Sequence, residues 1–177
     1  IMQLSDLLTN VLICAVEREG ELHIPNGSFG FAEGDVVSFI AAPKNAQRFF
    51  KKINIETAAA SDAMIVGGGK IAFYLAKQLL DAGIHVRILE KDPARCAELA
   101  EKLDGALIFC GDGTDERFLA ESGFMQADAF VPLTNIDEEN ILLTLYAKSK
   151  TDAKVITKIN RTNFHEVITG LEMDSVV

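Results

Sequence analysis

The feature that most constrains this chain is a run of three glycines wedged between an apolar strand and a helix. Ala63-Met64-Ile65-Val66 is apolar and of strand length, Gly67-Gly68-Gly69 follows at once, and Lys70 to Asp81 reads as a helix. A glycine turn that leaves a strand and opens a helix is the setting in which a backbone wraps a phosphate. Gly67 makes the tight turn, and Gly69 lets the backbone approach a pyrophosphate with no Cβ in the way. Ala72 stands third in this fingerprint, where a small residue permits close helix–strand packing. The free N–H groups of the first helical turn then face the anion, aided by a dipole worth about 0.3–1 kcal/mol when exposed. Micromolar binding requires about 8 kcal/mol, so several N–H bonds must converge.

The next strand supplies a second signal. His85 to Leu89 is strand-like, and Glu90 ends it, 21 residues beyond Gly69. An acid there accepts hydrogen bonds from ribose hydroxyls and repels a 2′-phosphate, which favours NAD(H) over NADP(H). The bland alternative is a glycine turn that binds nothing, with Glu90 a solvated strand end. The coincidence of turn, spacing and acid argues against it. Lys70 is either a solvated lysine or a phosphate ligand; as a point charge it also suits a polyphosphate, which keeps ATP or ADP as alternative ligands.

Strands and helices then alternate. Helices are expected over Pro93 to Leu103, Glu116 to Ser122, Glu138 to Ser149 and Asn163 to Thr169, and strands over Ala106–Phe109, Ala129–Val131 and Lys154–Lys158. A sixth strand is expected to begin at Val176-Val177. This is an α/β pattern, a Rossmann-like doubly wound parallel sheet. Residues 1–57 read differently, as a small α+β unit with strands at Val11–Val16, Leu22–Ile24 and Val36–Ile40 and a helix from Ala46 to Ile53. The small polar stretch Thr57 to Asp62 is the seam, and 58–177 is the nucleotide-binding domain.

Ligands of an open parallel sheet sit beyond the carboxyl ends of its strands. Gly111-Asp112-Gly113-Thr114-Asp115 follows one such end; Asp112 either accepts from an adenine amino group or caps a helix. Thr134 and Asn135 follow another, as pocket groups, as caps of the helix near Asp137, or as both. Lys158 ends a third, as a ligand or a solvated lysine. No histidine stands at a strand end facing this pocket, since His85 starts its strand and His165 lies in a helix. A dehydrogenase needs an acid–base group beside the nicotinamide. The cofactor is therefore expected to be bound and not used, with no enzymatic activity.

Composition narrows the partners. The formal charge of −9, with no basic cluster, opposes nucleic-acid binding. Cys14, Cys96 and Cys110 have no C-x-x-C spacing and read as reduced core thiols, and the three scattered histidines make a metal site unexpected. No apolar run is long enough to span a bilayer.

With Gly67–Ala72, Glu90, the G-D-G-T-D run from Gly111 and the T-N-x-D-E-E-N run from Thr134 in view, the chain resembles the Trk-type (TrkA) potassium-uptake regulators. More broadly it resembles the RCK, or KTN, nucleotide-binding domains that gate potassium channels and transporters. The first piece resembles the small RCK C-terminal subdomain, through Ala15–Gly20, Ile24-Pro25-Asn26-Gly27 and Gly34-Asp35-Val36-Val37. That order suggests an internal slice of a tandem protein, beginning after the small domain's first strand. The resemblance implies a regulatory subunit, cytoplasmic and peripheral on the inner membrane face. It implies a homodimer or a larger ring, and an integral potassium-translocating partner of the TrkH or KtrB kind. It places the phosphates on Gly67, Gly68, Gly69, Lys70 and Ile71 and the ribose on Glu90. Lys91, Gly111, Asp112, Thr134, Asn135 and Lys158 complete the site, with NAD+ or NADH as ligand and ATP or ADP as the alternative. The helix carrying Ile141, Leu142, Leu145 and Tyr146 contributes to a dimer face or packs on its own sheet. The runner-up is an NAD-dependent oxidoreductase fragment.

Overall fold

The computed structural model describes residues 8–55, 60–161 and 175–177. The chain divides into two compact units, Ile1–Ala59 and Ala60–Val177.

In the first unit, β1 (Val11–Arg18) and β2 (Glu21–His23) form a hairpin. Glu19 and Gly20 turn it with φ of 52° and 81°, the left-handed pair that matches strand twist in a two-residue turn. β3 (Val36–Ala41) pairs antiparallel on the other side of β1, giving the order β2-β1-β3. Cys14 is the extra residue of a bulge, because Ile13 faces Phe39 while Ala15 already faces Ser38. Helix α1 (Pro43–Lys52) starts a turn before the expected Ala46. Proline's fixed φ suits a first helical turn, and the Ala42 carbonyl accepts the first N–H bonds, from Asn45 and Ala46. The helix lays Phe49 and Phe50 against Phe39, with ring centroids 5.6 Å from it in each case.

The second unit runs β4 (Asp62–Val66), α2 (Lys70–Asp81), β5 (His85–Glu90), α3 (Pro93–Lys102), β6 (Leu107–Cys110), α4 (Glu116–Glu121), β7 (Ala129–Pro132), α5 (Asp137–Lys150), β8 (Lys154–Thr157) and β9 (Ser175–Val176). The strands are all parallel in the order β6-β5-β4-β7-β8-β9, the doubly wound arrangement expected. β9 sets Ser175 opposite Ile156. The expected helix at Asn163–Thr169 lies outside the described residues. Period-two alternation sends β4 side chains into two cores, Met64 and Val66 into one and Ile65 into the other. Both faces of the sheet are thus covered, as parallel sheets require.

The amino ends of the strands are tied by charge. Asp128 accepts from the backbone N–H groups of Ser61 and Asp62 and from the Ser61 hydroxyl. The nearly buried Arg87 pairs with Asp62 and donates to the Ser122 and Gly123 carbonyls, at the entry to an unexpected 3-10 turn, Phe124–Gln126. That turn buries Phe124 edge-on against Phe130.

Candidate nucleotide-binding site

The glycine turn leaves β4 at the centre of the sheet, where the strand order reverses. Gly67 has φ of 99°, and a Cβ on it would stand 2.9 Å from the Leu133 carbonyl oxygen. A Cβ on Gly68 would stand 2.5 Å from a Leu99 methyl and 2.9 Å from the Glu90 carboxylate. These two glycines are required by the fold itself. Gly69 is different: a Cβ there meets nothing within 4 Å, so the space beside it belongs to solvent or to a ligand. Gly69 is also the N-cap of α2, and no side chain caps that helix. The N–H groups of the first turn therefore lack intrahelical partners.

Glu90 forms the facing wall. One carboxylate oxygen accepts the Gly68 N–H at 2.6 Å and the other accepts the Asp92 N–H at 2.9 Å. The acid is thus held in place by backbone on both oxygens, and each keeps a lone pair for a further donor. Asp92 caps α3 through Ala94 N–H, and Pro93 opens its first turn. From α3, Arg95 reaches back to donate to the Gly68 carbonyl at 2.7 Å, so its charge joins the first turn of α3 to the glycine turn.

These groups surround a cleft of about 330 Å3, in the range of small-molecule sites. Gly67, Gly68, Gly69, Glu90, Lys91, Asp112, Thr134 and Asn135 line it, with Asp92, Arg95, Gly113, Thr114, Ile136 and Glu139. Lys70, Ile71, Gly111 and Lys158 do not line it. Lys70 and Ile71 are exposed on the first turn of α2. Gly111 serves packing, since a Cβ would stand 2.5 Å from the Phe118 ring. Lys158 presents its backbone inward, its carbonyl accepting from Asn140.

Two readings of caps need correction. Asp112 is not the helix cap; that role falls to Asp115, whose carboxylate accepts from Arg117 and Phe118 N–H. Asp112 instead accepts from the Thr114 N–H and hydroxyl, which holds its carboxyl below the usual range. Nor does Thr134 or Asn135 cap α5, whose N-cap is Ile136 without a side-chain bond. Thr134 accepts from Ile136 N–H and contacts Asn140, while Asn135 stands exposed at the mouth. The thiols differ from expectation too: Cys96 is buried, Cys14 is half-buried and Cys110 is exposed.

The acidic run after Thr134 proves to be a clamp. Buried Asn140 accepts the Thr134 N–H and donates to the Thr134 and Lys158 carbonyls, tying the ends of β7 and β8. Buried Asp137 accepts the backbone N–H groups of Asn160 and Arg161, and the Asn160 N–H holds its carboxyl below the usual range despite burial. Sequence reading missed Asp137 and Asn140, as well as Asp92 and Arg95. For Asp92 the D-P start of a helix was an available signal. Asp137 and Asn140 stand in the T-N-x-D-E-E-N run, which marked them without giving their role; for Arg95 no signal existed, because its partner lies 27 residues away.

Among known proteins, the TrkA-N domain family matches residues 63–177 and the TrkA-C domain family residues 2–54. The Trk system potassium uptake protein TrkA of Vibrio alginolyticus is 32% identical over 165 residues, 93% of this chain and 36% of that protein. Its namesake in Haemophilus influenzae is 33% identical over the same shares. A TrkA homolog 2 of Methanosarcina mazei is 29% identical over 99% of this chain and 40% of that protein. The chain thus spans between a third and two fifths of these relatives. Among solved structures, the GsuK channel bound to NAD superposes with a TM-score of 0.65 at 19% identity, over 100% of this chain and 31% of that one. The TrkA-N domain of the inner membrane protein ybaL from Escherichia coli gives 0.59 at 21% identity, over 68% and 89%. At such identities these structures speak for the fold.

Proposed function

The chain belongs to the TrkA family of potassium-uptake proteins, and on that premise we propose that its cleft senses NAD(H). The family is regulatory and non-enzymatic, which sets aside the oxidoreductase alternative. The observation that carries the reading is the uncapped first turn of α2, with open space beside Gly69, facing a backbone-anchored Glu90. In this reading the pyrophosphate lies against the open backbone of Gly69 at the start of α2, with the Lys70 and Ile71 N–H groups reached only from the rim of the cleft, and Glu90 takes the adenosine ribose. Thr134, Asn135 and Asp112 also line the cleft, and in this reading Asp112 faces the adenine. The NAD bound to the GsuK channel supports the choice of ligand.

Binding would act on an assembly. A ligand shifts a two-state assembly only by its difference in affinity between the states, and a tenfold difference is about 1.4 kcal/mol per site. Several coupled copies, as a dimer or ring, multiply that small bias. Leu142 and Leu145 on α5 are exposed and available for such contacts. The membrane partner is a potassium-translocating subunit whose gating follows the shape of the assembly. No helix of the described residues is long and apolar enough to cross a membrane.

Titration of the protein with NADH, followed by the ligand's own fluorescence, tests this reading. Saturable binding that NADPH barely displaces, and that Glu90→Ala abolishes, is the expected result. Preference for ATP or ADP would replace the ligand and keep the gating role, with Lys91 and Arg95 on the cleft wall as candidate phosphate partners. Absence of binding by all of them in folded protein would overturn it.

A further inference from the structure

The nucleotide reading leaves two thiols unused at the edge of its cleft. Cys110 ends β6, is exposed, and is the Cα partner of Glu90 across the β5–β6 pair. Cys96 lies in the first turn of α3, is buried, and donates its thiol to the Glu90 carbonyl at 3.1 Å. The same carbonyl accepts the Gly111 N–H at 2.9 Å. The Cys96 sulfur and the peptide that follows Cys110 therefore converge on one oxygen. Burial first, and then hydrogen bonding with the Cys110 thiol, push the Cys96 thiol up to about 12.

We propose that Cys96 and Cys110 form a dithiol that closes to a disulfide by exchange with a small-molecule disulfide, and that its redox state sets the nucleotide affinity of the adjoining cleft. The second half of this statement rests on the NAD(H) reading above. The exposed Cys110, as thiolate, attacks one sulfur of oxidised glutathione and expels one glutathione thiolate. Cys96 then attacks the Cys110 sulfur of the mixed disulfide, passing its own proton to the second glutathione as that glutathione is expelled. The two thiol protons end on the two glutathiones, so one small disulfide is reduced for each protein disulfide formed. Intracellular disulfides of this kind are transient and serve sensing.

Coupling follows from what adjoins the two thiols. Glu90 offers its carboxylate to the cleft while its carbonyl is held by Cys96 on one side and Gly111 on the other. Closure removes the S–H donor and links the first turn of α3 to the end of β6 across Glu90. The same α3 turn carries Asp92 and Arg95, which fix the carboxylate and the glycine turn. Oxidation thus displaces the ribose acceptor, and by linkage NADH favours the dithiol to the same extent.

The test treats the protein with oxidised glutathione or with dithiothreitol, then reads intact mass, peptide map and NADH titration. The expected product has lost two hydrogens, maps as a Cys96–Cys110 link, and binds NADH at least about fivefold more weakly. Cys110→Ser, at an exposed position, abolishes the link and the affinity change, while Cys14→Ser leaves both intact. A stable glutathione adduct on Cys110, or a link through Cys14, overturns the dithiol. A Cys96–Cys110 link with unchanged NADH affinity overturns the coupling. If the reduced protein binds no NADH, the nucleotide reading and the coupling fall together, while the mass still decides whether the thiols close.

Discussion

The two units of this chain bury their apolar residues in different ways. The parallel sheet of the second unit is covered on both faces, and Met64, Ile65, Ile88 and Phe130 are fully buried. Among the described residues of the first unit only Val16 is buried. Its aromatic rings cover one face of the small sheet, while Leu12, Leu22, Val36 and Ile40, aligned by register on the other, are each more than 60% exposed. One helix on three antiparallel strands screens one face only. The first unit therefore leans on local devices, such as the cluster of Phe39 with Phe49 and Phe50 and the pairing of Arg18 with Asp35, 2.7 Å apart.

The sharpest probe of this contrast is truncation of one ring in each unit. Phe130→Ala should cost about 3–5 kcal/mol in urea unfolding, and Phe39→Ala, half-exposed, less than about 2 kcal/mol. Equal losses would break the comparison. Next in size is the clamp: Asn140→Ala strands the Thr134 N–H and the Lys158 carbonyl and should cost about 1–3 kcal/mol. Faster amide hydrogen exchange at the ends of β7 and β8 would show where that loss falls. Glycines give a smaller, matched pair. Gly67→Ala meets backbone at 2.9 Å and should cost about 1–3 kcal/mol, whereas Gly20→Ala has a similar φ with open space around it and should cost about 1 kcal/mol.

Acid separates the units least. The Arg18 guanidinium and the Ala32 N–H hold the Asp35 carboxyl down at about 2, against an ordinary 3.8. A depressed folded value means stability that is present above the ordinary value and lost as pH falls from 3.8 toward about 2. Asp128 and Asp137 are lowered as well, mainly by backbone N–H groups, so the second unit loses stability in the same direction. Asp35→Asn should flatten the acid dependence of exchange in the first unit and leave that of the second unchanged.

Much of the site was legible because its parts are local. Gly67, Gly68 and Gly69 sit in one turn, and Glu90 follows at the spacing of a single strand–helix–strand unit. Among the described residues, helix and strand bounds fell within a few residues, α1 being the main exception because Pro43 begins the helix instead of preceding it. Asp112 and Thr134 were harder. Short polar side chains at a strand end can cap a helix, close a turn on themselves or face a ligand, and sequence does not rank these choices.

The sequence by itself determined the parallel α/β class, the central glycine turn, the acid facing it and the family, since each rests on short-range spacing and residue type. Only the tertiary structure decided which carboxylates serve the fold, that Arg95 reaches back to the glycine turn, and that Cys96 donates to the carbonyl of Glu90, the strand partner of Cys110. Those facts depend on how α3 and β6 are brought beside β5. Such contacts join residues with no fixed separation along the chain, so only packing can specify them.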